Sequence, residues 1–371
     1  MLINILMDLK QGGAEKFAIS HTNLVNNSKK NILIVVKKIP KNSIYKKIIL
    51  ENDIKLIELN FLSLRDPRIQ FSLFKVLNNI KTYKVINTHL YSLGLCYLSI
   101  LLLQNCKWVH FVHFNTSGAP DGDSINIMHK KMNELIVNYK NIKIICLSES
   151  SYRNILKYYK YKKNLIFKLN LFFINNLILK KDPTLSQQLE LIKIHNQKTK
   201  VVVLIGSINK QKNQKFLFDS LNKIKLVDKI YILLFGDISD QKYFNSLRLN
   251  DYKNIKYMGF TSDIKTIFQL SDVFIHLSNN ESGPLVFIEA LNYGIPMVIS
   301  NFSGYSEYFK NQKGIEVLDE LKFSNLERSL NKTILFKNKD LINIKDEFKM
   351  IIKTKFSKKK FLDKYLKIVD S

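Results

Sequence analysis

The stretch DVFIHLSNNESGPLVFIEALNYGIPMVIS, residues 272–300, shows the folding unit of this chain. It begins and ends with a short, continuous apolar run, and such runs indicate strands of a parallel sheet that is buried on both faces. Between the runs, Pro284 fits the first turn of a helix, where its missing N–H costs nothing, and Gly294 fits the helix end. The stretch therefore predicts a strand, a helix and a second strand in succession.

The same pattern recurs along the chain. Segments with helical spacing, such as Ala14–Asn26 and Lys212–Ile224, separate further apolar runs. These runs are INILM, NILIVVK, KVINTH, KWVHFVHF and IKIICLS in the first half, and KVVVLIGS, KIYILLFGD and NIKYMGF in the second. Strands that alternate with helices predict an α/β protein with two doubly wound parallel sheets. Ligands of such sheets bind at the carboxyl ends of the strands, so residues just after strands are the first candidates for a site.

The length of the chain also favours two domains. At 371 residues it is too long for one typical core. The polar stretch Lys180–Lys200 separates the two halves. We predict a first domain over residues 1–180, a linker over 181–200 and a second domain over 201–355. The last segment, 356–371, has the pattern of a short basic amphipathic helix, which we expect to pack back on the first domain.

The composition is that of a folded soluble protein with an unusual charge. Apolar residues make up 46% and charged residues 24%, but the net charge is +27. The lysines are spread along the chain, so a solvated surface and attraction to an anionic surface or substrate both remain open. The three cysteines show no metal-type spacing and indicate reduced thiols in the cytoplasm. The most apolar run, Leu93–Leu103, is too short to span a membrane, whereas peripheral attachment remains open.

Two glutamates flank the predicted helix start. The backbone N–H groups of Leu285 and Val286 have no intrahelical partner there, and such a helix end attracts phosphate. Glu281 lies in the loop before the helix, and Glu289 lies inside it. Because carboxylates accept hydrogen bonds from hydroxyls, a sugar on one side of a phosphate and a ribose on the other would satisfy both.

The order of segments around these glutamates resembles a known family. The segments LIGSINKQKNQKFLFDSL, LLFGD and NIKYMGFTSDIKTIFQLSDVFIHLS lead in order to Glu-x7-Glu, and DLKQGGAEKFAISHTNLV resembles the family's opening loop. Two glutamates at this spacing would be a weak signal alone, but the ordered series is specific. The chain resembles the GT4-type retaining glycosyltransferases, the glycosyl transferases group 1. The resemblance implies the GT-B fold, in which two Rossmann-like domains face each other across a cleft.

The resemblance also implies roles for the donor side. Glu289 would accept hydrogen bonds from the nucleotide ribose, and Glu281 would contact hydroxyls of the transferred sugar. Lys212 would bind the diphosphate, and the helix start formed by Gly283, Pro284, Leu285 and Val286 would lie beside it. The competing interpretations are an exposed helix glutamate for Glu289, a helix-dipole partner for Glu281 and a solvated turn lysine for Lys212.

Two further loops are candidates for the donor site. Gly206 is similar to the family glycine that precedes the lysine turn, but Ser207 stands where the family often has arginine. This departure leaves the second diphosphate cation in doubt, and Lys210 is the substitute that we consider. Gly12 and Gly13 follow the first strand and would let the backbone approach a ligand closely.

Histidines provide the remaining candidates. His113 resembles the family's active-site histidine, which contacts the transferred sugar, and it is favoured over His110, which alternation places on the opposite face of the strand. His89 ends another strand, where lining the acceptor site and a capping role are both open. Glu307 occupies the family's glycine-loop position and is expected to be structural or on the ribose side.

The function implied by the resemblance is transfer of a sugar with retention at the anomeric carbon. We expect a UDP-sugar donor, with a GDP-sugar as the alternative, and a glycan or lipid-linked acceptor in bacterial surface polysaccharide, lipopolysaccharide or capsule biosynthesis. The family needs no metal, and the resemblance therefore implies that none is needed here. No other cofactor is expected. A sugar-nucleotide epimerase of related architecture and a binding module with a degraded site are the alternatives.

A basic, aromatic stretch follows the fifth predicted strand, SYRNILKYYKYKKNLIFKL at Ser151–Leu169. We interpret it as a helix with one face formed by Tyr152, Ile155, Leu156 and Tyr159. It is either a surface helix packed on the sheet or a contact with anionic lipid at the cytoplasmic leaflet, to which TKFSKKKF near the end of the chain could add. We find no nucleic-acid recognition module and expect no nucleic-acid partner.

Overall fold

The computed structural model describes residues 1–10, 12–24, 31–41, 43–82, 84–113, 124–174, 183–195, 199–221, 223 and 227–371. The chain divides into two compact units. The first contains Met1–Leu177 together with Lys358–Ser371, and the second contains Ile178–Ser357.

The described strands are short and mostly buried. In chain order they are β1 Leu2–Leu6, β2 Ile32–Lys37, β3 Lys55–Phe61, β4 Lys84–His89, β5 Cys106–Val112, β6 Lys143–Cys146, β7 Ile166–Lys168, β8 Lys200–Ile205, β9 Ile230–Phe235, β10 Ile255–Gly259, β11 Val273–His276, β12 Met297–Ser300 and β13 Ile315–Leu318.

The described α-helices lie between and after these strands. In chain order they are α1 Gly13–Leu24, α2 Ile44–Glu51, α3 Arg68–Asn79, α4 Tyr97–Leu102, α5 Ser124–Lys140, α6 Glu149–Tyr158, α7 Pro183–His195, α8 Gln214–Leu221, α9 Gln241–Ser246, α10 Ile264–Gln269, α11 Leu285–Tyr293, α12 Ser306–Phe309, α13 Phe323–Ile334, α14 Asn338–Lys355 and α15 Lys358–Asp370.

Each unit is built on one parallel sheet. The strand order is β3-β2-β1-β4-β5-β6-β7 in the first unit and β10-β9-β8-β11-β12-β13 in the second. A parallel sheet whose strand order reverses in this way has helices on both faces, which is the predicted doubly wound class. In both sheets the order reverses beside the first strand of the unit, between β1 and β4 and between β8 and β11. Such a reversal is where ligands of doubly wound sheets bind.

The continuous apolar runs account for the two cores. Ile3, Ile34 and Ile86 are fully buried in the first sheet, and Val202 and Ile232 are fully buried in the second. Central parallel strands are covered on both faces, so every position along them favours an apolar side chain. This is why the sequence shows runs rather than alternation at these strands.

Three strands were not predicted, namely β3, β7 and β13. Each of them lies at an edge of its sheet. The strand β3 is only partly buried along its length, and β7 and β13 contain three and four residues. Edge strands are covered less completely and are often short, so they lack the long apolar run by which the others were recognised.

The prediction of one helical face over Ser151–Leu169 was wrong in its second half. The helix α6 ends at Tyr158, and Tyr159 is extended with φ −121°. The chain then forms a short 3-10 turn and enters β7, which pairs with β6 in parallel. Of the residues assigned to that face, Tyr159 therefore lies outside the helix and stacks on Tyr161.

Helices also occupy the predicted linker and the end of the chain. The segment expected to be a linker contains α7, whose Leu185 and Leu189, one turn apart, are buried. At the end of the chain, α15 belongs to the first unit. Its Phe361 and Tyr365 pack on the rings of His21 and Phe17 in α1.

Candidate active site

The loops after β8 and β11 meet at the reversal point of the second sheet. The Asn279 N–H donates to the Gln211 carbonyl (2.9 Å), and the Gln211 side chain donates to the Asn280 carbonyl (2.6 Å). The Ser278 hydroxyl also donates to the Gln211 carbonyl (2.9 Å). These bonds hold the turn that carries Lys212 and the loop that carries Glu281 in one fixed arrangement.

Gly206 makes room for Lys212. A Cβ at Gly206 would lie 3.3 Å from Lys212 Cε, and the glycine φ of +150° is one that side chains rarely adopt. The lysine stem therefore lies across the glycine, and its ammonium forms an ion pair with the Glu281 carboxylate. The two side chains are 21% and 12% exposed, so the pair is largely but not completely withdrawn from water.

Two neutral groups also lie near the Glu281 carboxylate. The Ser278 hydroxyl is 3.4 Å from Oε1 of Glu281, and Nε2 of His276 is 3.9 Å from the same oxygen. Burial, together with the nearby Lys212 ammonium, holds the pKa of His276 well below its usual range. His276 is therefore uncharged at neutral pH, and Lys212 is the cation that balances the carboxylate.

A close backbone contact fixes the glutamate loop from the other side. The Glu281 N–H donates to the Phe302 carbonyl (3.2 Å). A Cβ at Gly304 would lie 1.5 Å from the carbonyl oxygen of Ser282, so no side chain fits there. The loop after β12 thus supports the loop that carries Glu281.

The helix α11 begins one residue later than Pro284 would imply. Pro284 is the N-cap, with φ −71° and ψ 118°, and Leu285 is the first helical residue. The helix ends at Gly294, as predicted, where φ is +72°. Leu285 and Val286 stand in the first turn, where N–H groups lack intrahelical acceptors, and Glu289 lies half-buried further along the helix.

The remaining donor-side candidates lie next to this site. Ser207, in place of the usual arginine, accepts a hydrogen bond at its carbonyl from the Gln214 side chain (3.0 Å). Lys210 is exposed, and its carbonyl accepts a hydrogen bond from Asn279 (3.3 Å). Glu307 is exposed in α12. Whether Lys210 supplies a second cation stays a prediction.

At the reversal point of the first sheet, Gly12 and Gly13 lead into α1. The Gly12 carbonyl accepts hydrogen bonds from the Lys16 N–H (3.2 Å) and the Tyr45 hydroxyl (3.2 Å). The space beside Gly12 is filled by Glu15, because a Cβ at Gly12 would lie 2.4 Å from a Glu15 carboxyl oxygen. Glu15 is buried, and that burial raises its pKa to about 7.

A chain of polar side chains crosses the carboxyl end of the first sheet. Nε2 of His113 is 3.0 Å from Nδ1 of His89, and Nε2 of His89 is 2.8 Å from Oδ1 of Asn4. Nδ1 of His21 is 3.2 Å from the same Asn4 oxygen. His113 is thus connected to the reversal point, whereas His110 is 2.9 Å from the Thr88 hydroxyl.

The histidines at this end of the first sheet are uncharged at neutral pH. Burial lowers the pKa of His21 and of His113 to about 3, with a further contribution from His110 in the case of His113. Burial also holds the pKa of His89 well below its usual range. His89 is fully buried and stacks on Phe111, so it does not line an exposed site.

Asn4 and His21 were missed at the level of sequence. The available signal was a polar residue inside the apolar run INIL, at a position that the sheet buries completely. A buried polar side chain needs hydrogen-bond partners, and its presence in a central strand therefore indicates a network. Its partners are far away in sequence, which is why the network itself could not be predicted.

The described residues were also compared with the expectations for metal binding, membrane spans and disulfides. No group of three or more His, Cys, Asp or Glu side chains there could hold a metal ion. No described helix is long and apolar enough to cross a membrane. The three cysteines are unpaired thiols. A cavity of about 610 Å³ lies beside the edge strand β10, lined by residues such as Phe244 and Tyr257, and shares no residue with either reversal point.

The fold and the donor-side geometry define a class of protein, the GT-B proteins with two doubly wound domains. Among solved structures, the chain is similar to HepE (Alr3699) of Anabaena, determined in complex with UDP and glucose, with a TM-score of 0.79 and 18% identity over 100% of this chain and 99% of that one. It is also similar to WaaG, a glycosyltransferase involved in lipopolysaccharide biosynthesis, with a TM-score of 0.68 and 13% identity over 95% of both chains. These likenesses confirm the predicted GT-B fold.

Comparison of the sequence with known families identifies the family. Residues 188–360 match the family described as Glycosyl transferases group 1, and this part of the chain belongs to it. A related sequence is the UDP-Gal:alpha-D-GlcNAc-diphosphoundecaprenol alpha-1,3-galactosyltransferase of Escherichia coli, which is 29% identical over 119 residues. That match covers 30% of this chain and 30% of the relative. The predicted resemblance to group 1 glycosyltransferases is therefore confirmed.

Proposed function

We propose that this protein transfers a sugar from a nucleotide-sugar, with a UDP-sugar favoured over a GDP-sugar, to a glycan or lipid-linked acceptor. The observation that supports this most directly is the Lys212–Glu281 ion pair at the reversal point of a glycosyltransferase group 1 domain. A cation, a carboxylate and the first turn of α11 lie together there. These are the groups that a sugar diphosphate would use.

In this proposal Lys212 and the first turn of α11 bind the diphosphate. Cleavage of the bond between sugar and phosphate leaves negative charge on the departing nucleoside diphosphate. A fixed ammonium and the N–H groups of Leu285 and Val286 stabilise that charge more strongly as it develops. Lys212 already has an anionic partner in Glu281, and the incoming diphosphate would share or replace it.

The carboxylates would contact the two ends of the donor. Glu281, next to the lysine, would accept hydrogen bonds from hydroxyls of the transferred sugar, and Glu289, further along α11, from the ribose. Gly206 and Gly283 keep side chains away from the diphosphate. On the first unit, His113 would contact a hydroxyl of a sugar substrate.

We further propose that the anomeric configuration is retained. The transition state would resemble an oxocarbenium ion, with the donor phosphate taking the acceptor proton, because the residues that the structure describes at the site offer no compelling general base. Lys212 and the helix start would supply the positive charge at the leaving group, so the proposed reaction does not need a metal ion.

The relatives support a class of acceptor. The Escherichia coli relative is named for transfer of galactose to a sugar linked to undecaprenol through a diphosphate, and WaaG is described as acting in lipopolysaccharide biosynthesis. We infer a glycan or lipid-linked acceptor of bacterial surface polysaccharide, at the cytoplasmic face of the membrane.

Calorimetry with UDP and GDP tests the donor site. We expect saturable binding of UDP to the wild type, and binding at least about tenfold weaker to Glu289→Ala, because a hydrogen bond to a charged group contributes about 1.5–3 kcal/mol. Glu347→Ala is the matched control, since Glu347 is an exposed helix glutamate of the same unit. If the wild type bound neither nucleotide, or the two variants behaved alike, the donor proposal would fail.

We also propose that the first unit contacts an anionic membrane. The surface is different from the predicted helix 151–169 and is formed by α4 and α5. Leu135 and Tyr139, one turn apart on α5, are 71% and 74% exposed, and Leu101 and Leu102 of α4 are 48% and 55% exposed. The Lys140 ammonium donates to the Leu101 carbonyl (3.0 Å), so the two helices that carry these exposed side chains are neighbours.

The part of the chain that contains α5 and the stretch after it is rich in basic side chains. Residues 130–163 contain two acidic side chains, Glu134 and Glu149, and nine basic ones: Lys130, Lys131, Lys140, Lys143, Arg153, Lys157, Lys160, Lys162 and Lys163. Apolar side chains that enter the lipid boundary and lysines that contact headgroups act together in peripheral binding.

Vesicle sedimentation tests the membrane contact. We expect the protein to bind vesicles of mixed phosphatidylglycerol and phosphatidylcholine, and to be released by salt. Replacing Leu135 and Tyr139 together by Glu should abolish binding, whereas Leu335→Glu, an exposed leucine of the second unit, should not. Equal binding by both variants, or equal binding to purely neutral vesicles, would rule the surface out.

A further inference from the structure

The buried network behind His113 fixes where the protons lie. It begins at Thr22 in α1, whose hydroxyl oxygen is 2.8 Å from the Ala18 carbonyl oxygen and 2.8 Å from Nδ2 of Asn4. A carbonyl can only accept, so the hydroxyl hydrogen must point to Ala18. The same hydroxyl oxygen then accepts a hydrogen bond from the Asn4 side chain, and the NH₂ group of Asn4 faces Thr22.

This orientation determines the next two bonds. With its NH₂ group on Thr22, Asn4 turns its carbonyl oxygen to the histidines, and that oxygen can only accept. Nε2 of His89, at 2.8 Å, and Nδ1 of His21, at 3.2 Å, must therefore each carry a hydrogen. A reversed Asn4 amide would leave two oxygens, those of Thr22 and Ala18, 2.8 Å apart without a hydrogen between them.

The proton on His89 then determines the proton on His113. A neutral imidazole carries one N–H, so His89, protonated at Nε2, presents a lone pair at Nδ1. The contact of 3.0 Å between this nitrogen and Nε2 of His113 is a hydrogen bond only if His113 donates it. His113, which is also neutral, is left with a lone pair on Nδ1.

We propose that Asn4 and His89 are positioning residues that hold His113 with a proton on Nε2 and a lone pair on Nδ1, so that His113 accepts a hydrogen bond from the substrate. The group that it recognises must carry a hydrogen, such as a sugar hydroxyl or an amide N–H. A phosphate or carboxylate oxygen is disfavoured at the same position, because two acceptors would face each other.

The surroundings hold this arrangement in place. His89 is fully buried and stacks on Phe111, with ring centroids 5.0 Å apart and planes 4° apart. Phe17 packs edge-on against both His89 (5.9 Å) and His113 (5.7 Å). Neither ring can turn over without displacing these neighbours. The packing of the first unit therefore fixes the direction of the hydrogen bonds from His113 to His89 and on to Asn4.

The arrangement also assigns a chemical role. A histidine that carries no proton on Nδ1 cannot act as a general acid from that atom, and its low proton affinity makes it a weak general base. Its contribution is recognition and orientation of one hydroxyl. The part of this inference that concerns a sugar hydroxyl rests on the proposed function, whereas the proton arrangement does not.

Nitrogen NMR of the full chain labelled with ¹⁵N-histidine tests the proton arrangement without any substrate. Long-range proton–nitrogen spectra distinguish the two neutral forms of histidine and the charged form, and His89→Gln and His113→Gln would assign the signals. At pH 7 we expect both residues to be neutral and protonated at Nε2. Protonation of His113 at Nδ1, or a charged His113, would overturn the proposal.

One substitution should reverse the direction of the hydrogen bond between His89 and His113. In Asn4→Asp a carboxylate faces His89, which would take up a proton from water and become charged. Charged His89 donates from Nδ1, so the proton of His113 should move from Nε2 to Nδ1. Asn31→Asp is the matched control, because Asn31 is also buried and also donates to Thr22, at its backbone carbonyl (2.9 Å), but contacts neither histidine.

The nitrogen signals of His113 should therefore exchange in Asn4→Asp and stay unchanged in Asn31→Asp. If the signals of His113 are unchanged in a folded Asn4→Asp protein, Asn4 does not determine the proton position on His113 and the proposal is wrong. If that variant does not fold, the wild-type spectrum decides the proposal. For the substrate, the four monodeoxy forms of the glucose in UDP-glucose would be compared by release of UDP. One of them should lose about threefold to tenfold in kcat/KM in the wild type and less in Asn4→Asp.

Failure of this inference and failure of the proposed function can be told apart. If UDP binds and UDP-glucose is turned over, but His113 is protonated at Nδ1, the inference is wrong and the proposed function stands. If the histidines have the expected protons but neither UDP nor GDP binds, the donor proposal is wrong and the positioning role of Asn4 and His89 stands.

Discussion

The two units place different chemistry at the same point of the same topology. In both sheets the strand order reverses beside the first strand of the unit. In the second unit this point carries an ion pair, Lys212 with Glu281, that keeps some contact with water. In the first unit it carries a chain of neutral side chains, Asn4, His89 and His113, packed among aromatic rings.

The difference follows from the cost of burying charge. An ion that leaves water loses its hydration, so a charged site remains partly exposed or keeps a counter-ion. Lys212 and Glu281 do both. A neutral hydrogen-bonded chain avoids this cost and can lie completely inside the core, provided that every donor finds an acceptor. The second unit is therefore suited to an anionic ligand and the first to a hydroxyl.

The largest effect should come from the cation of the second unit. Lys212→Met keeps the stem that lies across Gly206 but removes the ammonium. We expect kcat/KM for UDP release from UDP-glucose to fall about 10²–10³-fold, the loss typical for a group that stabilises developing negative charge. The control is Lys215→Met, an exposed lysine in the next helix that pairs with Asp219. A fall of less than about threefold would show that Lys212 does not stabilise charge on the leaving group.

The buried neutral histidines of the first unit should make the stability of that unit depend on pH. The folded pKa of His21, about 3, lies below its unfolded value of about 6.5. Between these values the unfolded chain binds more protons, so the stability contributed by neutral His21 is present above pH 6.5 and is lost as the pH falls. From pH 7.5 to pH 5 this residue alone should cost about 2 kcal/mol.

His21→Phe should remove that part of the pH dependence. The measurement is urea unfolding at both pH values, followed by the fluorescence of Trp108, which is the single tryptophan of the chain and lies in the core of the first unit. His276→Phe, in the second unit, should leave the Trp108 transition with the wild-type pH dependence. An identical loss in wild type and His21→Phe would contradict the assignment.

The smallest effect should come from a substitution of Glu281, which should strengthen UDP binding and slow sugar transfer. In Glu281→Gln, Lys212 loses its anionic partner and no longer has to exchange it for a diphosphate. We expect UDP to bind about threefold to tenfold more tightly by calorimetry, roughly 1 kcal/mol, while UDP release from UDP-glucose becomes slower. Glu316→Gln, which breaks the ion pair with Lys332, is the control. Weaker UDP binding in Glu281→Gln would mean that the carboxylate does not compete for the lysine.

Much of the second unit could be predicted from sequence because its signals are local. The runs that became β8, β9 and β11 are continuous and apolar, and Gly294 marks the end of α11. The family resemblance rests on short segments in a fixed order, and the match of residues 188–360 to the group 1 family confirmed it. By contrast, β7 and α7 lie in stretches whose lysines and polar residues resemble a solvated surface, so both were missed.

The sequence by itself determined two doubly wound domains, the family and the residues that follow the strands, since each of these depends on the spacing of neighbours along the chain. Only the tertiary structure decided their partners. Lys212 meets a carboxylate 69 residues away, and His89 meets Asn4 across 85 residues. Hydrogen bonds and ion pairs act over a few ångströms, so they depend on which loops the strand order brings together, and no local pattern records that.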